Sequence, residues 1–272
     1  MSYWQSNTIT SNGIQIHYTR TGGDKPSMVM AHGFTDDGLC WTPVARALEA
    51  DYDIVMPDAR GHGRSEAPES GYVLTEMASD LAGVITGLGL HKPAVFGHSM
   101  GGATTLIMAG IYPNLPGAIL IEDAGGRNIQ AGDDSTVEER MRETLGRMAA
   151  LKNMSREELI DQARAEHPAW PEDELGPWAD AKLRFNLHAV DRMKGTVDGW
   201  EDILRNITCP ALLLTADPAL GAIIDEDGEA HLRELIPQLQ VVRLENAGHN
   251  VRREQFEAYM QNARDFLAQV PS

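Results

Sequence analysis

The pentapeptide Gly97-His98-Ser99-Met100-Gly101 decides the fold of this chain. It follows a short apolar run, Pro93–Phe96, and precedes a helix-compatible segment, Gly102–Met108. A strand, a G-x-S-x-G turn and a helix in this order predict a nucleophile elbow, in which a sharp turn directs the serine side chain into a cleft. Glycines at both ends of the motif leave out Cβ atoms that would collide where the strand and helix approach each other. The context therefore predicts that Ser99 is a nucleophile.

The composition is that of an ordinary globular chain with an excess of acid. The 272 residues are 42% hydrophobic and 23% charged, and they carry a formal net charge of −17. This length predicts one large domain, or one domain with an insertion. The negative charge argues against nucleic acid and anionic membranes as partners. We expect a cytoplasmic protein with two free thiols, because the only cysteines are Cys40 and Cys209 and neither a leader pattern nor a membrane span is evident.

Short β-rich runs alternate with helical periodicities along most of the chain. This alternation predicts an α/β fold with a mostly parallel, doubly wound sheet that carries helices on both faces. The predicted strands are Ile14–Tyr18, Ser27–Ala31, Tyr52–Pro57, Pro93–Gly97, Ala118–Glu122, Ala211–Thr215 and Gln240–Leu244.

Residues 125–205 differ from the rest because they show no strand pattern. Two capping boxes, Ser135–Glu138 and Ser155–Glu158, each precede a helical pattern. We expect a helical cap over the C-terminal edge of the sheet, where open α/β sheets bind ligands. The remaining residues, 1–124 and 206–272, would then form the core domain.

A serine nucleophile needs a histidine base and a carboxylate that orients this base. His249 is the candidate base, because it lies in a loop between the last predicted strand and the C-terminal helix, beside the elbow. Asp217 is the preferred acid, since it follows a strand and gives the chain order Ser, Asp, His. Glu122 and Asp123 stay open as alternatives, because they end another strand at the same edge of the sheet.

Acyl transfer also requires N–H donors for the oxyanion. The amide of Met100, the residue after the nucleophile, is one candidate. The second is the amide of Phe34 in the loop after an early strand, where Gly33 permits a close approach of the backbone. We expect His32 to fix this loop by hydrogen bonding.

These motifs together resemble the α/β-hydrolase superfamily, in the branch with a helical cap inserted after the sixth strand. The matching segments are His32–Phe34, Asp58–Ser65, Gly97–Gly102, Asp217 and Gly248–His249. The resemblance covers nearly the whole chain and is weakest in the cap. Asp217 departs slightly from the pattern, because relatives often carry the acid a couple of residues farther beyond this strand.

The resemblance implies a serine-dependent esterase or lactonase that acts through an acyl-enzyme on a small or medium apolar substrate, with N-acyl homoserine lactones as one candidate. An aspartate at the elbow would instead suggest a dehalogenase or an epoxide hydrolase. C–C bond hydrolysis, perhydrolysis, acyl transfer and a slowly hydrolysing ligand receptor remain alternatives. We expect no metal and no cofactor, since the H-x-H-x-D-H pattern of zinc lactonases is missing. Candidate substrate contacts are His32, Gly33, His98, Trp170 and Trp178.

Overall fold

A computed structural model describes residues 4–125 and 134–270, with the backbone alone for residues 134 and 135. Within these ranges, eight strands form one sheet in the order β1-β2-β4-β3-β5-β6-β7-β8. Strands β3 to β8 run parallel, while β1 and β2 form an antiparallel edge. The strands are β1 Gln5–Ser11, β2 Ile14–Arg20, β3 Ser27–Ala31, β4 Asp53–Pro57, β5 Ala94–His98, β6 Ala118–Glu122, β7 Ala211–Thr215 and β8 Leu239–Arg243. The predicted α/β fold class is thereby confirmed.

Helices flank the sheet and fill the long connection between β6 and β7. The α-helices of the described residues are α1 Thr42–Leu48, α2 Leu74–Gly87, α3 Met100–Ile111, α4 Asp134–Leu151, α5 Arg156–Glu166, α6 Glu172–Arg184, α7 Trp200–Arg205, α8 Glu226–Leu235, α9 Val251–Glu254 and α10 Phe256–Leu267. Short 3₁₀ helices span Gly38–Trp41, Leu187–Lys194 and Pro218–Leu220.

Each face of the sheet carries its own hydrophobic layer. Successive residues of β3 alternate between the layers: Val29 packs with α2, α3, α7 and α8, whereas Met28 and Met30 pack with α1 and α10. This alternation is the two-residue period of a strand. Because both faces are covered, the central strands are apolar throughout, as in other parallel sheets.

Strand β1 was missed by the sequence prediction. Apart from Ile9, its residues Gln5–Ser11 are polar, and most of them are exposed, so the segment lacks the apolar alternation that marks a half-buried strand. It pairs antiparallel with β2 in full register at the edge of the sheet. Backbone pairing with β2 along its whole length therefore holds this strand in the sheet.

The described residues between β6 and β7, 134–205, are helical and are called the cap below. They pack a third hydrophobic cluster that includes Met148, Trp178 and Phe185. Ser155 and Glu158 form the predicted capping box at the start of α5. The side chain of Ser135, in the other predicted box, lies outside the described residues.

Candidate active site

Ser99 occupies a sharp turn between β5 and α3. Its backbone has φ 51° and ψ −113°, a strained conformation for a residue with a side chain. A Cβ on Gly97 would lie 2.5 Å from the carbonyl oxygen of Gly101, and one on Gly101 would lie 2.2 Å from that of Ala31. Only glycine fits at these two positions, so the local geometry is the strand–turn–helix elbow that the motif predicts.

His249 is hydrogen-bonded to Asp123. Its Nδ1 lies 2.7 Å from Asp123 Oδ2, and the aspartate side chain is fully buried whereas the imidazole is 31% exposed. An ionised carboxylate only accepts hydrogen bonds, so Nδ1 carries the proton and Nε2 is left as an acceptor. The pair has the arrangement of a base and the acid that orients it.

Asp123 is fixed by donors other than the histidine. Its Oδ1 accepts from the Thr215 hydroxyl at 3.0 Å and from the Ile224 amide at 3.2 Å, while its Oδ2 accepts from the Ile223 amide at 2.9 Å. Each bond stabilises the charged carboxylate in a buried place. The imidazole of His249 is therefore held against a rigid acceptor.

Asp217, the acid preferred from the sequence, has a different contact in the structure. It is exposed, and its Oδ1 accepts from the Ala219 amide at 2.8 Å, which caps the 3₁₀ helix Pro218–Leu220. The structure thus corrects this assignment: the carboxylate beside His249 comes from the end of β6, not of β7. The local turn after β7 uses Asp217 as an N-cap residue.

Glu122, the other alternative, pairs with Arg252. Its two carboxylate oxygens accept from the backbone N–H and from Nη1 of that arginine, each at 3.0 Å. Burial raises the pKa of Glu122, although Arg252 opposes this rise. Of the three carboxylates weighed from the sequence, Asp123 alone contacts His249 among the described hydrogen bonds.

The two candidate oxyanion donors lie on adjacent backbone segments. Met100 is the first residue of α3, so its N–H has no acceptor one turn earlier within that helix. Phe34 lies inside a tight turn in which the Asp36 amide donates to the Gly33 carbonyl at 3.1 Å. Next to it, Thr35 adopts φ 67°, which is rare for a β-branched residue.

His32 and Gly33 act on the loop rather than on the cavity. The Nδ1 of His32 donates to the Gly33 carbonyl at 2.8 Å, and its Nε2 accepts from the Ala59 amide at 2.9 Å. Both ring nitrogens of His32 are thus bonded to backbone, and His32 is not among the residues that line the cavity beside Ser99, so its predicted substrate contact stays a prediction. Gly33 faces the ring of His98, since a Cβ there would lie 2.6 Å from Nδ1 of that ring. Gly33 is also not among the described residues that line the cavity beside Ser99.

A cavity of about 510 Å³ connects Ser99 and His249 with the cap. The predicted contacts His98, Trp170 and Trp178 line it. His98 also donates from Nε2 to the His249 carbonyl at 3.0 Å, and burial lowers its pKa well below the usual value, so the ring is neutral.

Charged side chains line this cavity beside the apolar ones, although the sequence predicts an apolar substrate. The cations Arg147, Lys182 and Arg253 and the carboxylates Asp36 and Glu166 contribute to it. These charges reach the cavity from separate helices and loops, so no short motif in the sequence reports them. The only local signals are Asp36, two residues after Phe34, and the arginine pair shortly after His249.

Asp36 joins the core to the cap through buried ion pairs. Its Oδ1 accepts from Lys182 Nζ and its Oδ2 from Arg253 Nη2, each at 2.9 Å. Lys182 also donates to the carbonyl and hydroxyl oxygens of Thr35, at 2.8 and 2.9 Å. Burial alone would raise the pKa of Asp36, but Arg253, Lys182 and Arg252 hold it well below its usual value.

The described ranges lack the features of two other classes of protein. Residues 4–125 and 134–270 contain no group of three or more His, Cys, Asp or Glu side chains placed to bind a metal ion. Across the same ranges, each helix is too short or too polar to cross a bilayer.

Comparisons with known proteins agree with this architecture. A sequence model described as the alpha/beta hydrolase family matches residues 28–262. N-formylmaleamate deformylase of Pseudomonas putida is 26% identical over 269 residues, which are 95% of each chain. The crystal structure of E-2-(acetamidomethylene)succinate hydrolase superposes with a TM-score of 0.80 at 21% identity, over 98% of this chain and 100% of the other. An N-acyl homoserine lactone degrading enzyme superposes with a TM-score of 0.77 at 21% identity, over 96% and 100%. At these identities the structural matches establish the fold alone.

Proposed function

Since the chain belongs to the alpha/beta hydrolase family, we propose that it is a serine-dependent hydrolase of a small carboxylic ester or lactone. The single observation that carries this proposal is the 2.7 Å bond between His249 and buried Asp123 at a cavity that Ser99 also lines. A nucleophile, a base and an orienting acid are the parts that acyl transfer requires.

In the proposed acylation step, the Oγ of Ser99 attacks the substrate carbonyl carbon while Nε2 of His249 takes the hydroxyl proton. Asp123 stabilises the resulting imidazolium and keeps its orientation. The amides of Phe34 and Met100 donate to the oxyanion, and one such donor typically contributes about 3 kcal/mol to transition-state stabilisation. Collapse of the tetrahedral intermediate breaks the bond to the leaving oxygen, which receives the proton from His249.

Deacylation repeats these roles with water as the nucleophile. His249 takes a proton from water, the hydroxide adds to the acyl carbonyl, and the ester bond to Ser99 breaks. The proton then returns from His249 to the serine oxygen, so the enzyme is restored and a carboxylic acid is released. In a lactone the leaving oxygen stays attached to the acyl chain, and the product is a hydroxy acid.

The substrate class is supported by the size of the cavity and by the relatives. A volume of about 510 Å³ is in the range of ~300–1,000 Å³ typical of small-molecule sites. The lactone-degrading neighbour illustrates one reaction carried by this fold. Amide hydrolysis is a second candidate, favoured by the deformylase that aligns over nearly the whole chain; the same steps apply, with nitrogen leaving instead of oxygen.

The test is a hydrolysis screen with the wild type, Ser99→Ala and the exposed-serine control Ser70→Ala. 4-Nitrophenyl esters, hexanoyl-homoserine lactone and an N-formyl amide represent the three bond types. We expect turnover of at least one, a fall in kcat of about 10⁴- to 10⁶-fold for Ser99→Ala, and wild-type rates for Ser70→Ala. Retained activity in Ser99→Ala, or no turnover of any bond type by the wild type, would contradict the proposal.

A further inference from the structure

We propose that Arg147 is an anion-binding residue of the substrate cavity, and that the substrate carries a carboxylate in addition to the bond that is cut. This inference rests on the proposed function, because it assigns a substrate class to the same cavity. It arises from a comparison of the three cations that line the cavity, Arg147, Lys182 and Arg253.

Lys182 is not available to a ligand. Its ammonium group has three protons, and it has three acceptors: the carbonyl and hydroxyl oxygens of Thr35 and the carboxylate of Asp36, all within 2.9 Å. Its side chain is also buried. This cation is fully used by the contact between cap and core.

Arg253 is likewise committed. It donates to Glu174 and Asp36 at 2.9 Å and to Asn250 at 3.1 Å, and only 2% of its side chain is exposed. The face of its guanidinium lies 4.6 Å from the ring centre of Trp170. Two buried carboxylates already balance this charge, so a substrate anion would have to compete with them.

Arg147 differs from both. It lies on α4, is exposed, and contributes to the cavity wall. Within the described ranges its guanidinium group has neither an ion pair nor a hydrogen bond. Glu143 stands one turn earlier on the same helix, at a spacing that permits an ion pair, but none is formed. In a chain of net charge −17, this is a cation left open at a ligand cavity.

The chemistry of the position favours a carboxylate as its partner. A guanidinium can donate two parallel hydrogen bonds to a carboxylate, which fixes orientation as well as charge. Asp36, which also lines the cavity, is already paired with Lys182 and Arg253, whereas the side chain of Arg147 has no such partner among the described residues. A substrate anion is therefore expected to stay near Arg147 while the carbonyl to be attacked reaches Ser99.

The experiment compares a charged with an uncharged ester of similar length: 4-nitrophenyl hemisuccinate and 4-nitrophenyl butyrate. The measured quantity is the ratio of their kcat/KM values. We expect Arg147→Glu to lower this ratio by about 10- to 100-fold through the KM of the anionic ester, and Arg147→Lys to restore part of it. Arg142→Glu, an exposed arginine of the same helix that does not line the cavity, is the matched control and leaves the ratio within about twofold.

An unchanged ratio in Arg147→Glu, or an equal fall in Arg142→Glu, would overturn the inference. The proposed function is judged separately, by turnover of the neutral ester and its loss in Ser99→Ala. If neither ester is turned over, calorimetry of succinate with the Ser99→Ala protein still decides the matter. Binding that is lost in Ser99→Ala/Arg147→Glu supports the inference, and no binding of succinate to Ser99→Ala overturns it.

Discussion

The C-terminal edge of the sheet and the cap contribute different things to one cavity. At the edge, the backbone itself places the groups: Ser99 and Asp123 both have positive φ, at 51° and 42°, directly after their strands. In the cap, the exposed residue Arg147 contributes to the cavity wall from the surface of helix α4. The difference teaches that turns at the sheet edge hold Ser99 and Asp123 in place through the backbone, whereas the cap adds side chains from the surfaces of its helices.

The same contrast exists within the edge, between the ends of β6 and β7. Asp123 is buried and bonded to His249 and to two backbone amides of the neighbouring loop. Asp217 is exposed and caps a short helix. Strand position alone therefore does not place a carboxylate against His249; the side chain must also be turned inward and held.

The largest difference in kcat/KM is expected when these two aspartates are substituted one at a time. Asp123→Asn should lower kcat/KM by about 10³- to 10⁴-fold, because an amide does not stabilise the imidazolium and can favour the wrong tautomer of His249. Asp217→Asn should change kcat/KM by less than about threefold, since its side chain only caps a surface turn. Steady-state hydrolysis of the best substrate from the screen measures both. Equal losses of kcat/KM in the two variants would contradict the different roles given to the carboxylates after β6 and β7.

A smaller effect, on stability, is expected at Asp36, which connects the core to the cap. Asp36→Asn should lower the free energy of unfolding at neutral pH by about 3 kcal/mol, because it removes the buried carboxylate that Lys182 and Arg253 share. The pKa of Asp36 is depressed in the folded protein, so its stabilisation is present above about pH 4 and is lost as pH falls through the folded pKa.

Urea unfolding of the wild type and Asp36→Asn across pH 2.5–7 measures this dependence. The gap in stability between the two proteins should narrow as pH falls below about 4. Asp198→Asn, at an exposed position, is the control, and its free energy of unfolding should differ little from that of the wild type at any pH. A gap for Asp36→Asn that does not vary with pH would mean that its charge is not the cause.

The smallest effect on kcat is expected from Lys182, a cap residue that is bonded to the loop containing Phe34. Lys182→Met removes both bonds to Thr35, the strained neighbour of Phe34, and should lower kcat by about 10- to 30-fold with little change in KM. Affinity for a boronic acid transition-state analogue should fall in parallel, and Lys182→Arg should recover part of both. If Lys182→Met lowers thermal stability but leaves kcat unchanged, Lys182 only holds the cap in place and does not affect the reaction.

The parts of this site that the sequence could predict are local. The Ser99 elbow is contained in a few consecutive residues, and its glycines are required by contacts at 2.5 Å and less. The position of His249 follows from its place between a strand and a helix. Both depend on the turn in which they lie, and a turn is visible in one short stretch of sequence.

The parts that the sequence could not predict depend on distant contacts. Glu122, Asp123 and Asp217 all end strands at the same edge, and the choice among them depends on which carboxylate the loop from Ile223 to Ile224 holds. Asp36 and Arg253 are 217 residues apart in the chain. Polar contacts at such separations leave no periodic pattern, so the prediction of an apolar substrate did not include the charged residues of the cavity.

The central claim is that the His249–Asp123 pair activates Ser99. The most direct measurement is the second-order rate of phosphonylation by diisopropyl fluorophosphate, with the modified residue identified by peptide mass mapping. The account predicts labelling of Ser99 in the wild type, no label in Ser99→Ala, at least about 100-fold slower labelling in Asp123→Asn, and a wild-type rate in Asp217→Asn. Wild-type labelling in Asp123→Asn, together with slow labelling in Asp217→Asn, would contradict it.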